Sequence, residues 1–151
     1  MHQTANPPVY VLGRKPGTGV FRPRSKEHPG DETFPGLLLL RLEGRVFFFN
    51  AEHIAQKMRL LIDEAKPKIL AIDLSGVSDL EYTALKMLIE AERRQREQGG
   101  VSLWLVGLNP EVLAIVQRSP LGEALGRERM HFTLEVAIEK HMASLATGRP
   151  L

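Results

Sequence analysis

Ile69-Leu70-Ala71-Ile72-Asp73-Leu74 is the stretch on which the fold turns. It is a nearly continuous apolar run of strand length, and it carries an acid near its end. A strand with one wet face alternates apolar and polar residues, whereas an unbroken run suits a strand covered on both faces, as in parallel sheets with crossover helices. Its neighbours supply those helices. Upstream, Ile54, Met58, Leu61, Ile62 and Ala65 fall at i, i+4, i+7, i+8 and i+11, one apolar helical face. Asn50 reads as its cap, and Lys66-Pro67 ends it. Downstream, a loop over 75–79 leads to a helix from about Tyr82 to Gln98, with Ala84, Leu85, Leu88 and Ile89 inward and Gly99-Gly100 as its stop. Val101–Val106 is the next buried strand.

Working outward, Leu37–Leu42 and Arg45–Phe49 read as two short strands joined at Glu43-Gly44, a hairpin. After Val106, Gly107-Leu108-Asn109-Pro110 turns into a helix bearing Val112, Leu113 and Val116, with Pro110 in its first turn. Ser119-Pro120 opens a short helix to about Leu125, and a brief strand follows near 130–132. Thr133 caps a last helix with Leu134, Ile138 and Leu145 inward. The order ββαβαβα(α)βα predicts an α/β fold, a mixed, mostly parallel sheet packed with helices. About 110 residues from Gly36 onward suffice to bury roughly 65% of their unfolded surface. Residues 1–35 differ: with Gly36 they hold six of the ten prolines, and only Val9-Tyr10-Val11-Leu12 has strand character. They read as a lead-in that packs on the body through Val9–Leu12, Phe21 and Phe34. The division is 1–35 lead-in, 36–145 domain and 146–151 tail.

Composition narrows the function. The 151 residues are 43% hydrophobic and 25% charged, a globular balance. There is no cysteine, which excludes a disulfide framework, a thiol nucleophile and thiolate metal sites. Twenty basic against eighteen acidic residues give a net charge of +2, with no basic stripe for nucleic acid. No apolar run approaches the roughly 20 residues of a membrane span. His2, His28, His53, His131 and His141 form no metal-ligand spacing and read as surface residues. Gly13–Gly19 lacks the Gly-Lys-Ser/Thr ending of a phosphate loop, and no serine sits in a nucleophile elbow. Phe47–Phe49 reads as packed core with one exposed ring.

The candidate functional residues are Asp73, Ser75, Ser78, Asp79 and Thr83, with Glu81 between them. They lie around the end of a central strand and in the loop after it, where open α/β sheets recruit ligands. One reading of the acids is a metal or acid–base cluster. The favoured one is a strand-end acid bonding loop amides, since no histidine stands near in sequence. Thr83 falls at the amino end of the second helix, where free amides attract anions. It is either a capping hydroxyl or a site of regulation.

Asp73-Leu74-Ser75-Gly76-Val77 followed by Asp79 to Leu85 resembles the central segment of STAS domains, shared by sulfate transporters and anti-sigma-factor antagonists. Val11-Leu12-Gly13-Arg14, Pro16-Gly17-Thr18 and Phe21-Arg22 are similar to the segment joining the last membrane helix to the STAS domain of sulfate-permease (SulP) anion transporters. Phe47-Phe48-Phe49-Asn50-Ala51-Glu52 and Gly107-Leu108-Asn109-Pro110 also resemble that subgroup, and the patterns span 9 to about 143. The resemblance implies a STAS-like fold and a non-enzymatic regulatory domain without metal or cofactor. It implies a place at the cytoplasmic face of the inner (plasma) membrane, following a membrane domain. The implied partners are that membrane domain, a cytoplasmic regulatory protein and a weakly bound anion or nucleotide, not nucleic acid. In the antagonist branch a serine in an Asp-Ser-Ser-Gly setting is phosphorylated. Here the stretch is Glu81-Tyr82-Thr83-Ala84, so Thr83 takes the hydroxyl position while its three neighbours differ. The alternatives are a free-standing antagonist-like phospho-switch and a small α/β enzyme using Asp73.

Overall fold

Leu37-Leu38-Leu39-Leu40 explains the layering, because successive leucines point to opposite faces of a strand and all four are buried. The computed structural model describes residues 9–46 and 48–148. Its elements are β1 (Val9–Arg14), β2 (Phe21–Pro23), β3 (Leu37–Val46), α1 (Phe48–Ala65), β4 (Ile69–Leu80), α2 (Tyr82–Arg94), β5 (Ser102–Val106), α3 (Pro110–Gln117), α4 (Pro120–Leu125), β6 (Met130–His131) and α5 (Leu134–Thr147). The sheet order is β2-β1-β3-β4-β5-β6. β1 runs antiparallel to β2 and β3, and β3 to β6 are parallel, the mixed sheet expected.

One face carries Leu38, Leu40, Leu70, Ile72, Leu74 and Leu105 against Ile54 and Met58 of α1, Leu85 and Leu88 of α2, and the apolar sides of α3 and α4. The other carries Leu12, Leu37, Leu39, Ala71, Trp104 and Val106 against Leu134, Ala137 and Ile138 of α5. The helix stops lie where the sequence puts them. Lys66 adopts φ 48 before Pro67. After α2 a π-helical turn, Gln95–Gly99, closes on Gly100 at φ 73. Asn109, Ser119 and Thr133 cap α3, α4 and α5 with their side chains.

Several expectations are corrected. Glu43-Gly44 makes no hairpin. β3 continues to Val46, with register shifts against β4 between Arg41 and Glu43 and between Gly44 and Arg45. Gly44 sits at φ 82, a left-handed conformation that glycine adopts without a Cβ penalty, so the residue that suggested a turn serves an irregular ladder. The segment 75–79 is no loop either, because it belongs to β4. Phe48–Asn50 lie in α1, so Asn50 is not its cap, and Phe47 lies outside the described residues. Ala65 and Leu145 are exposed, and His141 takes the inward place on α5. His141 is only 3% exposed and its Nε2 lies 2.6 Å from the carbonyl oxygen of Pro35, so it is not a surface histidine.

The lead-in is built into the body. β1 pairs with β3, and Phe21 and Phe34 pack on the α5 side of the sheet. Arg14 reaches Glu32 at 3.1 Å and Glu135 of α5 at 2.7 Å, and lies over the Phe34 ring. Arg22 grips Asp31 with two contacts of 2.7 Å. That bonding, more than any burial, holds the Asp31 carboxyl below its ordinary range.

Candidate functional site

β4 outruns its neighbour. Its pairing with β5 stops at Asp73 opposite Val106, whereas its pairing with β3 continues to Leu80 opposite Val46. The last residues of β3 and β4 therefore project past β5 as a two-stranded arm, and α1 and α2 begin just beyond it. Asn109 braces this arm. Its Nδ2 donates to the Val77 carbonyl at 3.1 Å while its Oδ1 accepts from Val112 N–H at the start of α3.

Asp73 stands at the root of the arm and is buried. Its Oδ2 accepts from Arg41 Nε at 2.9 Å and its Oδ1 from Ser75 N–H at 2.9 Å. Gly107, at φ 70, passes so close that an added Cβ would lie 3.1 Å from Asp73 Oδ1. Both carboxylate oxygens are thus engaged within β3 and β4, and the turn after β5 packs closely against one of them. The acid expected at a strand end therefore lies within β4, where it bonds the amide of Ser75 in the same strand and forms an ion pair with Arg41 that the sequence reading did not contain. Arg41 read only as a break in a leucine run, and Asn109 only as part of a turn. A register between strands 32 residues apart leaves no mark in one sequence.

Beyond Asp73, the arm buries Val77 and Leu80 and exposes Ser75, Gly76 and Ser78, with Asp79 half-buried. Glu81 is the N-cap of α2 in extended conformation, and no side-chain hydrogen bond caps the helix. Thr83 is therefore not the capping hydroxyl. It is the second residue of α2, exposed, beside Tyr82, which is 73% exposed with the Lys86 ammonium 5.5 Å from its ring centroid. The first-turn amides of such a helix have no intrahelical acceptor and face outward with the positive dipole end. Asp73 is buried, whereas Ser75 and Ser78 on the arm and Thr83 on α2 are exposed.

Among the described residues, no group of three His, Cys, Asp or Glu side chains is placed to hold a metal ion. His131 lies on the neighbouring edge strand, its ring tilted 4.6 Å from that of Trp104 and its Nε2 buried without a partner. Burial first, and Lys140 second, push the His131 imidazole below its ordinary pKa.

The STAS domain family profile matches residues 28–137. The chain belongs to the STAS domain family. The STAS domain is 32% identical over 150 residues to the probable sulfate transporter 3.5 of Arabidopsis thaliana, covering 97% of this chain and 23% of that protein. It thus spans about a quarter of the length of that curated relative. Among solved structures it is similar to the murine Slc26a9 anion transporter in the inward-facing state, with TM-score 0.78 and 20% identity, over 89% of this chain and 22% of that one. The SulP transporter STAS domain from Vibrio cholerae aligns with TM-score 0.64 and 22% identity, over 80% of this chain and 92% of that one. The unphosphorylated anti-sigma factor antagonist SpoIIAA aligns with TM-score 0.61 and 19% identity, over 75% of this chain and 94% of that one. These structural likenesses bear on fold, which they share with the mixed sheet described above. Among the described residues no helix is long and apolar enough to cross a membrane.

Proposed function

We propose that this STAS domain is the cytoplasmic regulatory and interaction domain of a SulP-family anion transporter, carried at the carboxyl side of its membrane domain. The observation that carries this reading is the reach of the transporter similarity, which takes in 97% of the chain, lead-in included. The lead-in's integration supports it. A segment descending from a membrane domain must hand its position to the body, and Arg14 and His141 fasten it to α5. In this division residues 1–35 connect, 36–145 regulate and 146–151 trail.

The regulatory rim comprises Ser75, Ser78, Asp79 and Thr83, with Asp73 as its buried anchor. It works by binding and not by catalysis. Thr83 is the residue through which it is switched. A phosphate there adds about −1.5 to −2 charges at an uncapped helix start. The positive helix end and Lys86, one turn on, favour it, whereas Asp79 and Glu81 oppose it. Such a balance makes a contact surface sensitive to modification, and it makes any free anion or nucleotide a weak ligand. The partners are the parent membrane domain and a cytoplasmic protein.

The test is the coding sequence upstream of this chain. Multiple apolar spans of about 20 residues each are expected there. An upstream frame without any would favour a free-standing antagonist-like switch instead.

A further inference from the structure

The edge of the sheet at β6 carries a surface unrelated to the Thr83 rim. Phe132 directly follows β6 and is 90% exposed. Single exposed apolar side chains are ordinary, but this ring adjoins others. With Leu108, Leu113 and Met130 it lines an open cavity of about 390 Å³. The Phe132 backbone lies between the edge strand and Thr133, whose Oγ1 accepts from Val136 N–H to cap α5. The patch is an apolar hollow at the edge of the sheet.

Its charge is one-sided. Arg127 also lines the cavity and no acid does. An adjoining cleft shares Gln117, Arg127 and Met130 with it and adds Arg118, with Glu123 the acid there. Among the described residues neither Arg118 nor Arg127 has an ion-pair partner. A guanidinium without a carboxylate at the rim of an apolar hollow matches an apolar anchor with an acidic neighbour. The concavity favours a protruding side chain of a polypeptide over a flat lipid surface.

We propose that the hollow formed by Leu108, Leu113, Met130 and Phe132 docks an apolar side chain of an acidic partner segment, whose carboxylates pair with Arg127 and Arg118. This goes beyond the regulatory reading and does not depend on it.

The test selects random peptides displayed on phage against the 151-residue chain, then measures the recovered peptides by fluorescence anisotropy. The expected sequences pair a large apolar residue with Asp or Glu within a few positions. Their affinity should fall at least about tenfold for Phe132→Ser and for Arg127→Glu, as at interface hot spots, and should weaken with added salt. Leu60→Ser, at an exposed leucine on α1, is the control that should leave binding unchanged. Circular dichroism of each variant checks its fold. Recovery of no peptide, of peptides without acids, or of peptides that bind both variants as tightly as the parent would overturn the proposal. Sedimentation of the chain with phosphatidylglycerol vesicles in place of peptide binding would do so too, and would assign the patch to lipid.

Discussion

Asp73→Ala should destabilise the domain by about 3 kcal/mol. The side chain is 4% exposed and its two oxygens hold Arg41 and the Ser75 amide at 2.9 Å each. Breaking a wholly buried ion pair costs about 3–5 kcal/mol, most of it from the charge left behind. Arg41 keeps 23% of its side chain in contact with water and can be partly resolvated, which puts the loss at the low end of that range. Asp73→Asn keeps an acceptor for Ser75 and should lose about 1–2 kcal/mol, since a hydrogen bond to a charged group is exchanged for a neutral one. Arg41→Met strands the buried carboxylate and should cost about as much as Asp73→Ala. Urea titration followed by Trp104, the single tryptophan and itself buried, reads all three. A loss below about 0.5 kcal/mol for Asp73→Ala, with an unchanged urea slope, would show that the carboxylate anchors nothing. The acid would then be available for a ligand, and the assignment of Asp73 as scaffold would be refuted.

Three further outcomes are expected. Leu88, fully buried between α2 and the sheet, should lose about 2–5 kcal/mol as Leu88→Ala, whereas Leu60→Ala at a 66% exposed position should change little in the same melts. Arg14→Ala should cost about 1–2 kcal/mol, from two partly exposed pairs and the contact with Phe34, and should speed tryptic cleavage at Lys26 as the lead-in loosens. His131 has a depressed pKa in the folded state, so the unfolded chain binds its proton first as pH falls. Its contribution is present above the ordinary histidine pKa of about 6.5 and falls as the pH drops below it, so His131→Phe should flatten that part of the stability curve.

The layering of the sheet is legible in the sequence because it rests on period and continuity. Leu37–Leu40 is wholly apolar, Ile69–Leu74 and Val101–Val106 are each broken by one polar residue, and Asn109, Ser119, Thr133 and Gly100 mark helix ends through local chemistry. The arm escapes such reading. In β4 the buried residues Leu74, Val77 and Leu80 are three apart, not two, and its partner β3 carries two register shifts. That spacing, together with Ser75-Gly76, imitates a loop. At the site, the acid and the helix start are visible in sequence, but the partners that fix them are not. Arg41, Asn109 and Pro35 meet Asp73, Val77 and His141 only through tertiary register. His141 shows the same limit, since nothing local distinguishes a buried histidine facing a carbonyl from an exposed one.

The most direct test of the regulatory assignment is transport by the full-length protein that contains this chain. Anion uptake by the transporter proposed above should be compared for the parent, Thr83→Glu and Thr83→Ala in proteoliposomes and in cells, beside circular dichroism of the isolated variants. Thr83 is exposed and uncommitted to the helix cap, so both variants should fold as the parent does. The account predicts that Thr83→Glu alters uptake or its regulation in cells while Thr83→Ala holds it in the unmodified state. Equal uptake by all three folded proteins in both settings would contradict it.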